Sequence, residues 1–198
     1  MICDRTQSIA AFLEEAAARK PTPGGGSAAA LAGALSAAMG EMVIHYSVGR
    51  KDPSPHEGEL REALVELTRA RQLLLALMEE DQAAFSAFSN ARKSAGSAGD
   101  RDATFAAALL ACIRIPQAIG ASGIAILELL ARVAADANKL LMSDLKVSAE
   151  LAIATVRCAA HNIRVNLTDV SDLNERDRLS RATDQMLAHA VTLIRKLI

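Results

Sequence analysis

The chain has 198 residues, with 22 Lys and Arg against 23 Asp and Glu for a net charge of −1, and its cationic residues are interleaved with acidic ones, which excludes a basic nucleic-acid footprint. Hydrophobic residues make up 51% but aromatic residues only 3%, with no Trp, so Ala, Leu, Ile and Val must fill an interior that suits close-packed helices and not sheets. No Pro/Gly/Ser stretch is long enough to divide the chain into two cores, so residues 1–198 read as one helical domain.

Thr6 or Ser8 is positioned to cap a first helix running to Lys20, with Ile9, Phe12, Leu13 and Ala16 as its apolar stripe. Pro21-Thr22-Pro23-Gly24-Gly25-Gly26-Ser27 stops it, because prolines suppress helix before them and glycines strip the backbone of side chains. A Gly/Ala/Ser-rich second helix follows from about Ser27 to Val48, open to neighbours on several sides and therefore central. Gly49 and Pro53-Ser54-Pro55 end it.

The third helix, from about Pro55 to Ala95, carries the stripe Leu60, Leu64, Leu67, Arg71, Leu74, Met78, Asp81, Phe85 and Phe88, a core face that includes two charges. A Ser/Gly turn over Ser94 to Asp100 precedes a fourth helix through Ile115, which Pro116 is expected to break or kink; another segment reaches Ala135. A long helix from about Asn138 to Val165 shows two faces, both expected to be buried. One is Leu140, Val147, Leu151, Ala154, Cys158 and Val165; the other is smaller and partly polar, from Asn138 through Leu141 to Asn166. Ser171 or Asp172 caps the last helix. With no alternating strand pattern, the expectation is an all-α compact bundle of about seven to nine helices around long central ones.

Cys3, Cys112 and Cys158 are widely spaced and odd in number, which reads as reduced thiols in a cytoplasmic protein. The charged N-terminus does not resemble a signal peptide, and residues 24–40 are too rich in Gly, Ala and Ser for a membrane span. His45, His56, His161 and His189 lack metal-ligand spacing, so no metal is expected.

Several residues have two readings. Gly24, Gly25, Gly26 and Ser27 form either a tightly packed helix start or a bare, anion-friendly one. Asp81 on a core stripe is either a structural ion pair with Arg71 or a desolvated acid/base group. Asp144, with Ser143 and the upstream Asn138, is either a carboxylate for chemistry or part of a helix-start polar cluster. Asn162 and Asn166, one turn apart, either read a heteroaromatic edge or cap a neighbouring loop. Arg50-Lys51 either hold a flexible carboxylate or are solvated cations. Asp144 and Asn162 lie about 27 Å apart along a straight helix, so their joint use requires opposite ends of this helix from two subunits to meet.

The proline-flanked glycine run with its Ala-rich helix, Met42-Val43, Asp81 with Phe85, Pro116, Ser143-Asp144 and Asn162-Ile163-Arg164-Val165-Asn166-Leu167 together resemble the cyclodeaminase/cyclohydrolase family of folate enzymes. That family includes the C-terminal domain of formiminotransferase-cyclodeaminase and stand-alone bacterial methenyltetrahydrofolate cyclohydrolases. The resemblance implies an all-helical homodimer that acts on a tetrahydrofolate one-carbon adduct without metal or redox cofactor, and with no nucleic-acid or membrane partner. Asp81 and then Asp144 would be the catalytic residues. Gly24, Gly25, Gly26, Ser27, Arg50, Lys51, Asn138, Asn162 and Asn166 would bind substrate. The implied reaction is hydrolysis of 5,10-methenyltetrahydrofolate to 10-formyltetrahydrofolate, favoured by the absence of a formiminotransferase segment from this sequence. The alternatives are a formiminotetrahydrofolate cyclodeaminase that releases ammonia, and a non-catalytic folate-binding or assembly module. Two departures stand out: Asp52-Pro53 where such sequences commonly have a tyrosine after the basic pair, and Cys158 where a glycine is common.

Overall fold

The computed structural model describes residues 5–51, 54–93 and 98–198. Cys3, Asp52-Pro53 and the first part of the expected turn, residues 94–97, lie outside the described residues. The order is α1 (Ile9–Ala17), α2 (Gly25–His45), α3 (Glu57–Lys93), α4 (Ala98–Val133), a 3-10 turn (Lys139–Leu141), α5 (Met142–Leu167) and α6 (Leu173–Ile194), with no strand among the described residues.

Six α-helices replace the expected seven to nine because Pro116 does not divide α4. A proline within a helix withdraws the N–H that would bond the carbonyl four residues earlier, here that of Cys112. Asn166 Nδ2, from α5, donates to that carbonyl at 2.9 Å, so the backbone runs on without an orphaned acceptor. Local capping follows the sequence more closely. Ser8 Oγ accepts from Ala11 N–H at the start of α1, and Asp172 accepts from the N–H groups of Asn174 and Glu175 at the start of α6.

α2 is the central helix, packed on α3 and α5 along its length and on α4 more briefly. Its buried residues, including Ala30, Gly33, Ser36, Ala37 and Gly40, surround the axis, so backbone meets neighbour directly. A Cβ at Gly33 would press on Leu74 of α3 and Thr155 of α5, both at 3.0 Å, so only glycine lets both helices close at this level. One reciprocal polar pair crosses the seam: Ser36 Oγ donates to the Ser148 carbonyl and Ser148 Oγ donates to the Ser36 carbonyl, each at 2.7 Å. Burial of both hydroxyls is thereby compensated. Leu67, Leu74, Ile126, Leu130, Leu145 and Ile153 complete the main core.

Two burial expectations are corrected. Of the α1 stripe only Phe12 is buried, with Ile9 and Leu13 exposed. On α5, the Leu145/Ser148/Ala152/Thr155 face is buried, but Val147, Cys158 and Val165 on the opposite face are exposed, as is Leu140 in the 3-10 turn before it. Among the described residues, nothing covers that exposed face. The α2 span and residues 103–133 are long and apolar enough to cross a membrane by composition, yet both are part of the packed bundle.

Candidate functional site

The glycine loop delivers the start of α2 to the side of α3. Gly24 is the extended N-cap residue, after a cis Thr22–Pro23 peptide, and has no side chain to satisfy the first N–H groups. Asp81 fills that role from α3. Ser27 Oγ donates to Asp81 Oδ2 at 2.9 Å, and the Ser27 backbone N–H also bonds the carboxylate. A Cβ built at Gly26 would lie inside this carboxylate, 2.5 Å from Cγ. One built at Gly25 would press on Asn162 Oδ1 at 3.1 Å, whereas Gly24 has nothing within 4 Å. The three glycines thus have different work: Gly26 admits Asp81, Gly25 admits Asn162, and Gly24 leaves open space.

Asp81 does not pair with Arg71. The Arg71 Nε donates to Glu41 Oε1 at 2.6 Å, and Thr68 Oγ1 donates to Glu41 Oε2 at 3.0 Å, so that network is complete inside the α2–α3 seam. The ion-pair reading of Asp81 is therefore corrected. Without a cation beside it, burial pushes the Asp81 carboxyl above its ordinary range, and the two Ser27 bonds only partly oppose that shift. The result is a carboxyl that Ser27 holds in place and whose neutral form burial favours.

Asp81 opens on a cavity of about 140 Å³ walled by Gly24 to Gly26, Phe85, Cys112, Pro116, Asn162 and Asn166, with Pro21, Thr22 and Val165 at its edge. Phe85, one helical turn beyond Asp81, is 41% exposed and offers a flat face here instead of joining the core. Burial and the nearby Asp81 charge push the Cys112 thiol up to about 11, which makes it an inert wall and not a nucleophile. Asn162 Nδ2 donates to its own helix at the Cys158 carbonyl, 2.9 Å away. Asn166 Nδ2 donates to the carbonyls of both Cys112 and Asn162.

The remaining predicted residues lie at the opposite end of the bundle. α2 has 21 residues, so Arg50 and Lys51 beyond its C-terminus are about 30 Å from Gly24. Both are exposed. Asn138 is nearby, and its side chain is used internally: Nδ2 donates to the Tyr46 carbonyl at 3.2 Å and Oδ1 accepts from Leu140 N–H at 3.1 Å. Asp144 is half-buried in the first turn of α5, about 27 Å from Asn162. One chain brings together Asp81, Gly24 to Ser27, Asn162 and Asn166, but neither Asp144, Asn138, Arg50 nor Lys51. Cys112 escaped sequence reasoning because nothing in its local pattern marks it, while Thr22 and Val165 lie inside the proline-flanked glycine run and the Asn162 to Leu167 motif but were not singled out as site residues. Phe85 and Pro116 did carry a signal, in the four-residue spacing from Asp81 and in a proline inside a helical run. No group of three or more metal-ligating side chains forms among the described residues.

Comparison with known proteins finds relatives that span nearly the whole chain. The family model described as formiminotransferase-cyclodeaminase matches residues 8–185. The chain is 30% identical to a methenyltetrahydrofolate cyclohydrolase of Methylorubrum extorquens, over 94% of this chain and 92% of that protein. It is 29% identical to the formimidoyltransferase-cyclodeaminase of Gallus gallus over 93% of this chain, but spans only 35% of that protein. Among solved structures, the crystal structure of formiminotetrahydrofolate cyclodeaminase from Thermotoga maritima superposes with a TM-score of 0.89 at 26% identity, covering 97% of this chain and 94% of that one.

Proposed function

The chain belongs to the formiminotransferase-cyclodeaminase family, and we propose that it is a methenyltetrahydrofolate cyclohydrolase, converting 5,10-methenyltetrahydrofolate and water to 10-formyltetrahydrofolate. The observation that carries this reading is the Asp81 carboxyl, fixed by Ser27 at the mouth of a cavity with no cationic side chain among the described residues that line it. The methenyl carbon between N5 and N10 is part of a cationic amidinium. Ionised Asp81 stabilises that cation and accepts a proton as water adds to the carbon. The same proton, returned to N5, lets the N5–C bond break as the added hydroxyl gives up its remaining proton, which leaves the formyl group on N10. Phe85 offers a flat face for the ring system, and Asn162 and Asn166 offer polar atoms to its edge. Net charge balances with one proton released to solvent.

A cavity of about 140 Å³ holds the reacting end of such a ligand but not all of it. We therefore extend the proposal to a homodimer in which the exposed α5 faces meet antiparallel, placing Asp144, Asn138, Arg50 and Lys51 of one protomer near Asp81 of the other. The exposed Leu140, Val147 and Val165 support it, as does the broad groove of about 610 Å³ beside Val147, Leu151 and Ile198. Arg50 and Lys51 would then meet the glutamate tail. Size-exclusion chromatography with light scattering tests this; a monomer with full activity overturns it.

The second reading, a formiminotetrahydrofolate cyclodeaminase, is favoured by the structural likeness to the Thermotoga maritima enzyme. The same carboxyl would assist attack of N10 on a formimino carbon and then protonate the departing ammonia. A side-by-side assay separates the two: decay of methenyltetrahydrofolate absorbance against ammonia release from formiminotetrahydrofolate. Tight folate binding with neither turnover rejects both in favour of a binding module.

A further inference from the structure

Asn166 is held in one orientation by two carbonyls, one of them freed by a proline on another helix. Pro116 leaves the Cys112 carbonyl without its helical donor, and Asn166 Nδ2 supplies one at 2.9 Å while also donating to the Asn162 carbonyl at 2.8 Å. Two carbonyls converge on one terminal atom of the side chain. Only the nitrogen can occupy that place, because an oxygen there would face two acceptors. Both amide hydrogens are thereby used, and among the described residues nothing donates to Asn166 Oδ1. Asn162 differs, since its Nδ2 makes a single bond and keeps a hydrogen to offer. Both side chains, with Pro116 and Cys112, line the Asp81 cavity.

We propose that Pro116 is a positioning residue that locks the Asn166 amide, so that this wall of the cavity presents a hydrogen-bond acceptor and selects a ligand edge carrying an N–H donor. The Asn162 carbonyl alone would leave the amide one tether, and the Cys112 carbonyl that Pro116 frees supplies the second, which fixes the orientation. The inference deepens the folate reading and rests on it for the identity of the ligand, while the lock itself is a property of the chain alone. Pro116 acts only through Asn166 and takes no part in proton transfer.

A double-mutant cycle on Pro116→Ala and Asn166→Ala tests both parts, using thermal unfolding of the ligand-free protein and steady-state kinetics with methenyltetrahydrofolate. Pro116→Ala returns a helical N–H to the Cys112 carbonyl, so melting should rise by about 5 °C. KM should nevertheless rise about tenfold, with a smaller change in kcat, because the amide is no longer fixed. Greater stability together with weaker binding separates a role in the cavity from a purely helix-breaking proline, and the cycle with Asn166 separates the lock from the ring acting as wall. Asn166→Ala should lower the melting point when Pro116 is present, where it orphans a carbonyl, and lower it less when combined with Pro116→Ala. An equal KM penalty for Pro116→Ala with and without Asn166 means that the proline ring is simply cavity wall, and overturns the lock. Should Pro116→Ala melt lower, the stability coupling with Asn166 still decides: additive losses overturn the proposal. If wild-type protein neither binds nor turns over the folate but the coupling is present, the folate reading fails and the lock stands. If turnover is normal but KM is indifferent to Pro116, the lock fails and the folate reading stands.

Discussion

The two ends of the bundle carry similar raw material and use it differently. Each has a proline-bounded connection, a helix terminus and a cluster of carboxylate, amide and hydroxyl groups. At the Arg50 end these groups satisfy one another. Asp136 accepts from Ser54 Oγ and bonds His56 Nδ1, Asn138 clamps Tyr46 and Leu140, and Ser47 Oγ donates to the Val43 carbonyl and accepts from Asn138 N–H. At the Gly24 end, among the described residues only Ser27 bonds Asp81, and Asn162 and Asn166, which line the cavity, each retain a polar atom without a bond. A polar cluster becomes a site where internal satisfaction is incomplete and space remains for a ligand to finish it.

The largest effect expected from breaking this contrast is at Asp81. Asp81→Asn should lower kcat by about 10²- to 10⁴-fold in the methenyltetrahydrofolate absorbance assay, with the helical circular dichroism signal intact. Retained turnover would remove Asp81 from the chemistry. Next is Gly26→Ala, whose Cβ must displace the carboxylate. It should cost about 1–3 kcal/mol of stability and about a hundredfold in kcat/KM, whereas Gly24→Ala, facing open space, should fold normally and change ligand affinity alone. Denaturant titration beside kinetics checks both.

At the other end, Asn138→Ala should cost about 1–2 kcal/mol by releasing Tyr46 and Leu140. Its effect on kcat sharpens the comparison: a monomeric site predicts none, and the dimer predicts a loss. Replacing Arg50 and Lys51 together by Ala should leave stability within about 0.5 kcal/mol and raise KM several-fold for glutamylated substrate if the two ends meet across subunits. The smallest effect is the pH dependence of stability. Burial raises the Asp81 carboxyl in the folded state, so protonation favours folding, and this contribution is complete below the ordinary carboxylate range and lost as pH rises through the raised value. Asp81→Asn should therefore melt slightly higher than wild type at neutral pH, with the gap closing in acid. As a base, Asp81 should also place the acidic limb of kcat/KM above the usual aspartate range.

Much of the fold was legible in local sequence. The stripe of α3 with buried Leu60, Leu67, Leu74 and Met78, the Asp172 cap of α6, and the small-residue surroundings of α2 follow from periodicity and capping chemistry, which act over a few residues. The helix count failed at Pro116, because the donor that rescues the Cys112 carbonyl arrives from a residue 54 positions away. The site was half legible: Asp81 stood out as a charge on an apolar stripe, yet its partner could not be read there. Arg71 is equally well placed on that stripe, and only packing shows Glu41 occupying it from α2 while Ser27 takes Asp81.

The sequence by itself determined an all-helical chain, its central small-residue helix and the group of residues from which a site is built, because periodicity, caps and glycine sterics are local. Tertiary structure alone decided that Gly26 serves Asp81, that Asn166 completes α4, and that Asp144 and Arg50 lie at the far end from Asp81. Hydrogen-bond satisfaction and desolvation depend on which groups meet in space, and that is set by helix packing, not by spacing along the chain.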